Sequence, residues 1–393
     1  MIKKRKKVLI SCSAAKSILK FRGKLIEELL KENDVFVFTP RIQDPTLRRT
    51  LLEMGIVVYE NDLNRNNISI FSDLRYIISL IKVIREVGPD VFFAYTFKPL
   101  IFGSIVASVF KVKHIVAMLT GLGYNFADSE KSLTKTATQS LLKFSLRFNK
   151  HLRIVFQNED DRQELISRRI INDSSNTFVV NGSGVDLDFY QYSTPNVNPV
   201  RFLLISRLIK AKGVEEFMAA AKIVHNRYPD MKISIVGSFE GNQIDSVKHE
   251  LFEEITKSDF IEFTSWVDDV RPYIERASVV VLPSYREGTP RSILEGMSMG
   301  RAIITTDTPG CRQTVNTNHG KVNGRLIKVK SVDDIVTSME FFINNPEQVT
   351  QYGRNGRLYA EEKYDVNKVN KDMINILFHN RMIDPSLLIA DVQ

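Results

Sequence analysis

Cysteine is almost missing: Cys12 and Cys311 are the only two in 393 residues. Two thiols cannot build a disulfide framework, so a reducing compartment is expected. They cannot hold a zinc ion unaided. The six histidines form no H-x-x-H or H-E-x-x-H pair, so no metal site is expected. A serine nucleophile elbow, G-x-S-x-G, is absent. Where a dinucleotide fold would carry G-x-G-x-x-G, the chain has Ser13–Phe21, so a dinucleotide is not expected there. Long apolar runs are also lacking. Behind the basic tip Lys3–Lys7 stands only Val8-Leu9-Ile10, far short of the roughly 7–15 residues of a signal-peptide core. The most apolar stretch, Pro99–Phe110, is bounded by Lys98 on one side and Lys111 and Lys113 on the other. It is too short to span a bilayer and suits a buried helix. No internal repeat is visible.

What is present is ordinary globular material: 43% hydrophobic and 25% charged residues exclude disorder as the main state. The length suggests two domains. The net charge of +8 is uneven. Residues 1–190 hold 29 Lys+Arg against 20 Asp+Glu, and residues 191–393 hold 25 against 26. A basic half points to nucleic acid, an anionic membrane or a phosphorylated ligand. Basic residues interleaved with exposed aromatics are missing, so nucleic acid is not expected.

Short apolar strands alternate with helical periodicity. Strands are expected at Lys7–Cys12, Asp34–Thr39, near Val57, at Val91–Ala94, His114–Leu119 and, last in this half, Arg153–Gln157. Helices are expected at Phe21–Lys31, Ser72–Glu86 and residues 99–110. Residues 181–200, rich in Gly, Asn, Ser and Pro, read as a linker. The pattern then restarts with strands Phe202–Ser206, Lys232–Val236, Ile261–Thr264, Val279–Leu282 and Ala302–Thr305. Helices are expected at Gly213–Tyr228, Ser292–Met299 and from 332 onward. The expected class is α/β, with two Rossmann-like domains at 1–190 and 200–365 and a helical tail, 366–393, packing back toward the first. Ligands of such sheets bind beyond the carboxyl ends of the strands.

Two stretches at strand ends carry candidate chemistry. In Pro283–Gly296 an apolar strand ends in a polar turn shaped by Gly288 and Pro290, and a helix begins at Ser292. Glu287 stands in the turn and Glu295 in the first helical turn, two acceptors suited to sugar or ribose hydroxyls. The backbone N–H groups of Arg291, Ser292 and Ile293 at the helix start favour an anion such as phosphate. In Ser206–Gly213, Arg207 and Lys212 follow another strand. A planar fork and a point charge together suit a diphosphate. Asp186-Leu187-Asp188 is a D-x-D sequence, but it sits in the linker and is not expected to bind metal. Trp266 reads as a packing residue.

These stretches resemble the donor domain of retaining glycosyltransferases of family GT4, which have the GT-B fold. The E-x7-E pair matches Glu287 and Glu295, and the Arg…Lys-Gly segment matches Arg207, Lys212 and Gly213. Gly184-Val185-Asp186, Pro309–Arg312 and Asn323-Gly324 also resemble family segments, and the likeness runs from the first strand to about residue 365. The resemblance implies that Arg207 and Lys212 hold the diphosphate of a UDP-linked donor, that Glu295 binds the ribose, and that Glu287 faces the donor sugar. No cofactor is implied. Tyr95–Pro99 and Thr120–Gly123 resemble a subgroup that extends sugars on a polyprenyl diphosphate in bacterial polysaccharide synthesis. Acceptor-side candidates are therefore Ser13, Arg22, Thr96, Lys98, Thr120 and Gly121. Many relatives carry a histidine where this chain has Thr120-Gly121, and His114 reads as structural instead. The resemblance implies a peripheral protein at the cytoplasmic face of the inner membrane. Its basic face would comprise Lys3–Lys7, Lys98, Lys111, Lys113 and Arg147–Arg153. An epimerase of nucleotide sugars on the same fold is the alternative.

Overall fold

A computed structural model describes residues 4–63, 70–126, 133–172, 176–241 and 245–379. Lys3 of the basic tip and residues 380–393 of the expected tail lie outside the described residues. The chain divides into two units, Met1–Ser183 with Asn367–Gln393, and Gly184–Val366.

The first unit is built on β1 (Lys6–Ser11), β2 (Asn33–Pro40), β3 (Val57–Asn61), β4 (Val91–Tyr95), β5 (His114–Met118), β6 (Arg153–Phe156) and β7 (Thr177–Val179). Their order is β3-β2-β1-β4-β5-β6-β7, and every pairing is parallel. A parallel sheet is covered on both faces, which is why its strands are near-continuous apolar runs. Alternation along the strands sends the side chains to two cores. Leu9, Phe92, Ala94, Ile115 and Ala117 meet the helices Ile70–Val87, Phe97–Val109 and Leu133–Phe148. Val8, Ile10, Val91, Phe93, Val116 and Met118 meet the helices Ser17–Glu32 and Val366–His379.

The second unit holds β8 (Arg201–Ile205), β9 (Lys232–Val236), β10 (Ile261–Thr264), β11 (Val279–Leu282), β12 (Ala302–Thr306) and β13 (Gly324–Ile327). The order is β10-β9-β8-β11-β12-β13, again parallel. Residues 184–200, a linker by composition, are packed into this unit: Val185, Tyr190 and Val200 are buried in its core.

The sequence pattern locates eleven of these strands and misses the edge strands β7 and β13. The first is only TFV, and the second, GRLI, breaks its apolar run with Arg325. Arg153–Phe156 is therefore not the last strand of its half. The pattern also misses the helices Pro45–Glu53, Leu133–Phe148 and His249–Lys257. In Leu133–Phe148 the apolar Leu141, Phe144 and Phe148 face solvent, so the apolar positions do not trace one buried stripe.

The C-terminal helix completes the first unit. Met373, Ile376 and Leu377 are fully buried beside Val8 and Ile10. Arg153 donates to the carbonyls of Ile376 at 2.6 Å and Leu377 at 2.9 Å, closing the last turn of that helix with a cation. Its other nitrogen lies 2.9 Å from His114 Nδ1. A guanidinium only donates, so Nδ1 accepts and the ring is neutral. Burial, and then the Arg153 charge, hold His114 down at about 4. Below its ordinary value near 6.5 the unfolded chain takes up a proton that the folded chain refuses. Stability from this contact is therefore full above pH 6.5 and is lost as the pH falls toward 4. His114→Gln should show a smaller fall in unfolding temperature between pH 7 and pH 4 than the unaltered protein, read by thermal denaturation; equal falls would remove His114 as the cause.

Candidate functional site

In the second sheet β8 and β11 are neighbours, yet the chain leaves them in opposite directions, to β9 and to β12. Such a switch point opens a crevice at the carboxyl ends of the strands. The two loops that leave it are tied together. After β8 a short turn, Lys210–Lys212, ends at Gly213, which starts the helix Val214–Arg227 with φ +68°. A Cβ on Gly213 would lie 2.2 Å from the Pro283 carbonyl oxygen, so only glycine fits. Two residues on, the Tyr285 amide donates to the Ala211 carbonyl at 2.9 Å. This contact brings Lys212 against Glu287, and the two form an ion pair.

Glu287 is also held from behind. Its amide donates to the Pro309 carbonyl at 3.1 Å. A Cβ on Gly310, at φ +80°, would lie 2.3 Å from the Glu287 carbonyl oxygen. The segment Pro309–Arg312 thus sets the height of the Glu287 backbone. Tyr285 donates its hydroxyl to Glu216 at 2.7 Å; burial and then that carboxylate push the phenol above its ordinary range. Cys311 is fully buried, and desolvation, then the Glu287 charge, push its thiol up to about 11. It stays a neutral packing group. Asn323 is spent inside the fold, bonding the Thr314 carbonyl at 3.0 Å and the Asn316 amide at 2.7 Å.

The helix Arg291–Ser298 brings Glu295 to the same end of the sheet. The carboxylate is buried and held by Arg291 through Nε at 3.0 Å and Nη2 at 2.9 Å. Tyr190 lies beside it: burial first, then the charge of Glu295, raise its phenol above the ordinary value. Arg357 holds that segment, donating to the carbonyls of Tyr190 at 3.0 Å, Leu187 at 3.3 Å and Ser298 at 3.1 Å. Tyr190 did not stand out in the sequence, because residues 181–200 read as a linker, and Arg357 did not because its partners here are backbone carbonyls. The three amides at the helix start are not equivalent. Pro290 is buried, and its carbonyl accepts the Ile293 amide at 3.2 Å, while the Ile293 side chain is in the core. The Ile293 amide is therefore not an outward donor, contrary to the sequence expectation. The Ser292 amide has no internal acceptor among the described residues. Arg207, at the end of β8, is exposed and forms no ion pair among the described residues. Gly288 is buried within the turn.

Asp186 of the D-x-D sequence accepts the amides of Asp188 at 3.1 Å and Phe189 at 3.0 Å, so it shapes a turn. Among the described residues no group of three or more His, Cys, Asp or Glu side chains could hold a metal ion. Trp266 is not the packing residue the sequence suggested: it is 49% exposed, in the loop after β10.

The first sheet has its switch point between β1 and β4. Ser13 follows the first strand and Thr96 the second. Thr96 holds φ +71°, a costly conformation for a β-branched residue. Its hydroxyl donates to Ser13 Oγ at 2.8 Å and accepts the Ser13 amide at 3.2 Å. Thr120 and Gly121 follow β5, with Gly121 at φ +110°. Two candidates are engaged within the fold. Arg22 is not at the surface: it is 3% exposed, with Nη2 2.8 Å from Met118 Sδ and the guanidinium over the Tyr95 ring at 5.4 Å. Lys98 is partly buried and paired with Asp73 at 2.7 Å. His114 starts β5, at the other end of the strand from Thr120, and serves the Arg153 contact.

Residues 190–359 match the family model described as glycosyl transferases group 1, and residues 7–158 match glycosyl transferase 4-like. Over 90% of the chain and 93% of the relative, the sequence is 24% identical to a Campylobacter jejuni protein named N,N'-diacetylbacillosaminyl-diphospho-undecaprenol alpha-1,3-N-acetylgalactosaminyltransferase. Over 70% of the chain and 71% of the relative, it is 26% identical to an Escherichia coli UDP-Gal:alpha-D-GlcNAc-diphosphoundecaprenol alpha-1,3-galactosyltransferase. The Anabaena protein HepE, solved with UDP and glucose, superposes with a TM-score of 0.74 at 17% identity, covering 95% of this chain and 100% of that one.

Gly213→Ala should destabilise the fold by about 3 kcal/mol or more, because it adds a clash to a strained φ. Gly55→Ala, at φ +77° with nothing within 4 Å of the added carbon, should cost about 1 kcal/mol. Urea unfolding of both variants measures this, and equal losses would show that the Pro283 contact yields.

Proposed function

We propose that this chain, which belongs to the GT4-type glycosyltransferases and has their GT-B fold, moves a hexosyl or N-acetylhexosaminyl unit from a UDP-sugar to a polyprenyl-diphosphate-linked sugar. The observation that carries this reading is the Lys212–Glu287 pair, built by two clamped loops at the β8/β11 switch point. The Campylobacter and Escherichia relatives both take, by name, acceptors on diphospho-undecaprenol, which supports the lipid-linked acceptor. Nothing in those names supports the epimerase alternative.

Arg207 and Lys212 take the donor diphosphate, with the Ser292 amide and the positive end of its helix as further donors. Glu295, fixed by Arg291, takes the ribose hydroxyls. Glu287 faces the donor sugar and supports positive charge developing at its anomeric carbon. The bond from that carbon to the diphosphate breaks, the acceptor oxygen bonds the same face, and the acceptor's proton passes to the leaving diphosphate. The configuration is retained. Arg207 and Lys212 stabilise the charge that builds on the leaving group. A double displacement would need a carboxylate nucleophile. The acceptor-side candidates Ser13 and Thr96 at the first switch point, and Thr120 after the neighbouring β5, are hydroxyls instead. Among the described residues no helix is long and apolar enough to cross a membrane, and attachment at the cytoplasmic face of the inner membrane is peripheral in this reading.

A release assay across a panel of nucleotide sugars, with a polyprenyl-diphosphate sugar as acceptor, should show UDP released only when both substrates are present. Glu287→Ala and Lys212→Ala should each lower transfer by about two to three orders of magnitude while the circular dichroism stays unchanged. Normal turnover in Glu287→Ala would sink the site assignment, and an epimerised sugar formed from donor alone would replace the reading.

A further inference from the structure

One layer of the first unit turns apolar side chains away from its own core. The helices Ile70–Val87, Phe97–Val109 and Leu133–Phe148 cover one face of the sheet, with Phe97–Val109 packed against both others. On Ile70–Val87 the exposed residues Phe71, Leu74, Arg75, Ile78, Lys82 and Arg85 recur at helical spacing and share one stripe. Phe71, Leu74 and Ile78 are its apolar members, and Arg75, Lys82 and Arg85 its basic ones. Phe71 is 80% exposed. On Leu133–Phe148 the exposed Leu141, Phe144 and Phe148 form a second stripe, flanked by Lys143, with the two phenylalanine rings 5.5 Å apart. The central helix is apolar on every side, and Val109 at its end is exposed. Solvent-facing apolar residues this numerous on adjacent helices mark an interaction surface.

Charge selects the partner. Residues 97–113 and 133–150 contain no aspartate or glutamate. Ile70–Val87 has two acids, and both are engaged: Asp73 with Lys98 at 2.7 Å, and Glu86 with the Tyr59 hydroxyl at 2.7 Å. Arg75, Lys82, Lys111, Lys113 and Lys143 are exposed around the apolar stripes. Apolar stripes edged by cations fit the headgroup layer of an anionic bilayer. A second copy of the chain fits worse, because a two-fold contact would set cations against cations.

The basic tip is less free than its sequence suggests. Arg5 bonds Asp34 at 2.7 Å, and Lys7 donates to the Val87 carbonyl at 2.9 Å. Lys6 lies over the Phe378 ring at 4.8 Å. Arg147 and Arg153 donate to backbone carbonyls.

We infer that this three-helix layer is the face that enters the membrane interface, with Phe71, Ile78 and Phe144 inserting and Arg75, Lys82 and Lys143 meeting anionic headgroups. The inference rests on the reading of a peripheral enzyme with a lipid-borne acceptor. Flotation with phosphatidylcholine vesicles, with and without phosphatidylglycerol, tests it. The unaltered protein should float, and more so with the anionic lipid. Phe71→Ser/Ile78→Ser/Phe144→Ser should lower partition at least about tenfold on both vesicles. Arg75→Gln/Lys82→Gln/Lys143→Gln should lose only the anionic preference, and Lys4→Gln/Lys6→Gln should float as before. All variants should keep transfer to a water-soluble acceptor analogue. An apolar triple variant that floats like the unaltered protein would overturn this face alone. Failure of the unaltered protein to float on either vesicle would overturn peripheral attachment as well. Sedimentation showing a dimer that the triple variant dissolves, with flotation unchanged, would assign the surface to a second copy.

Discussion

The approach of Gly213 to the Pro283 carbonyl is the contact on which the second unit's site depends. It lets the loops after β8 and β11 touch backbone to backbone, with the Ala211–Tyr285 hydrogen bond alongside. Lys212 and Glu287 then meet without reaching, although 75 residues separate them in the chain. Because the backbones are already fixed by their own contact, the ion pair does not have to order the two loops. Gly310 repeats the device on the far side, pressing the turn after β12 against Glu287. A cation and a carboxylate are thereby fixed by three strands rather than by one flexible loop, which suits a group that must hold its position through a reaction.

Much of this was legible in the sequence. The apolar runs located eleven strands, and the residues at the ends of two of them, Arg207, Lys212, Glu287 and Glu295, lie at the carboxyl edge of one sheet. Periodicity could not reveal β7 or β13, whose short or interrupted runs gain their order from a neighbour. Nor could it reveal the contribution of residues 184–200. Tyr190 and Arg357 matter through contacts made by backbone carbonyls, which leave no trace in residue type. The burial of Arg22 was not legible for another reason: a basic residue near a helix start ordinarily points to solvent, but here Tyr95 and Met118 cover it.

The charge asymmetry was real but unequally useful. Counting cations along the chain treats each as available. In the fold, Arg5, Lys7, Lys98, Arg147 and Arg153 each find a carboxylate or carbonyl partner. A cation so engaged contributes to packing and to helix ends more than to the outward field. Exposed cations with apolar neighbours, such as Lys82 and Lys143, contribute to the field that remains, and beside Lys143 those neighbours were themselves what blurred the helical pattern.

The placement of the last helix bears on how the molecule is made. Gly184–Val366 is continuous and carries its own core, so it can fold as soon as it leaves the ribosome. The first unit is synthesised earlier but borrows Met373, Ile376 and Leu377 to cover β1. Its core stays open until residues 366–379 have been added. The part that is translated first is therefore the part completed last.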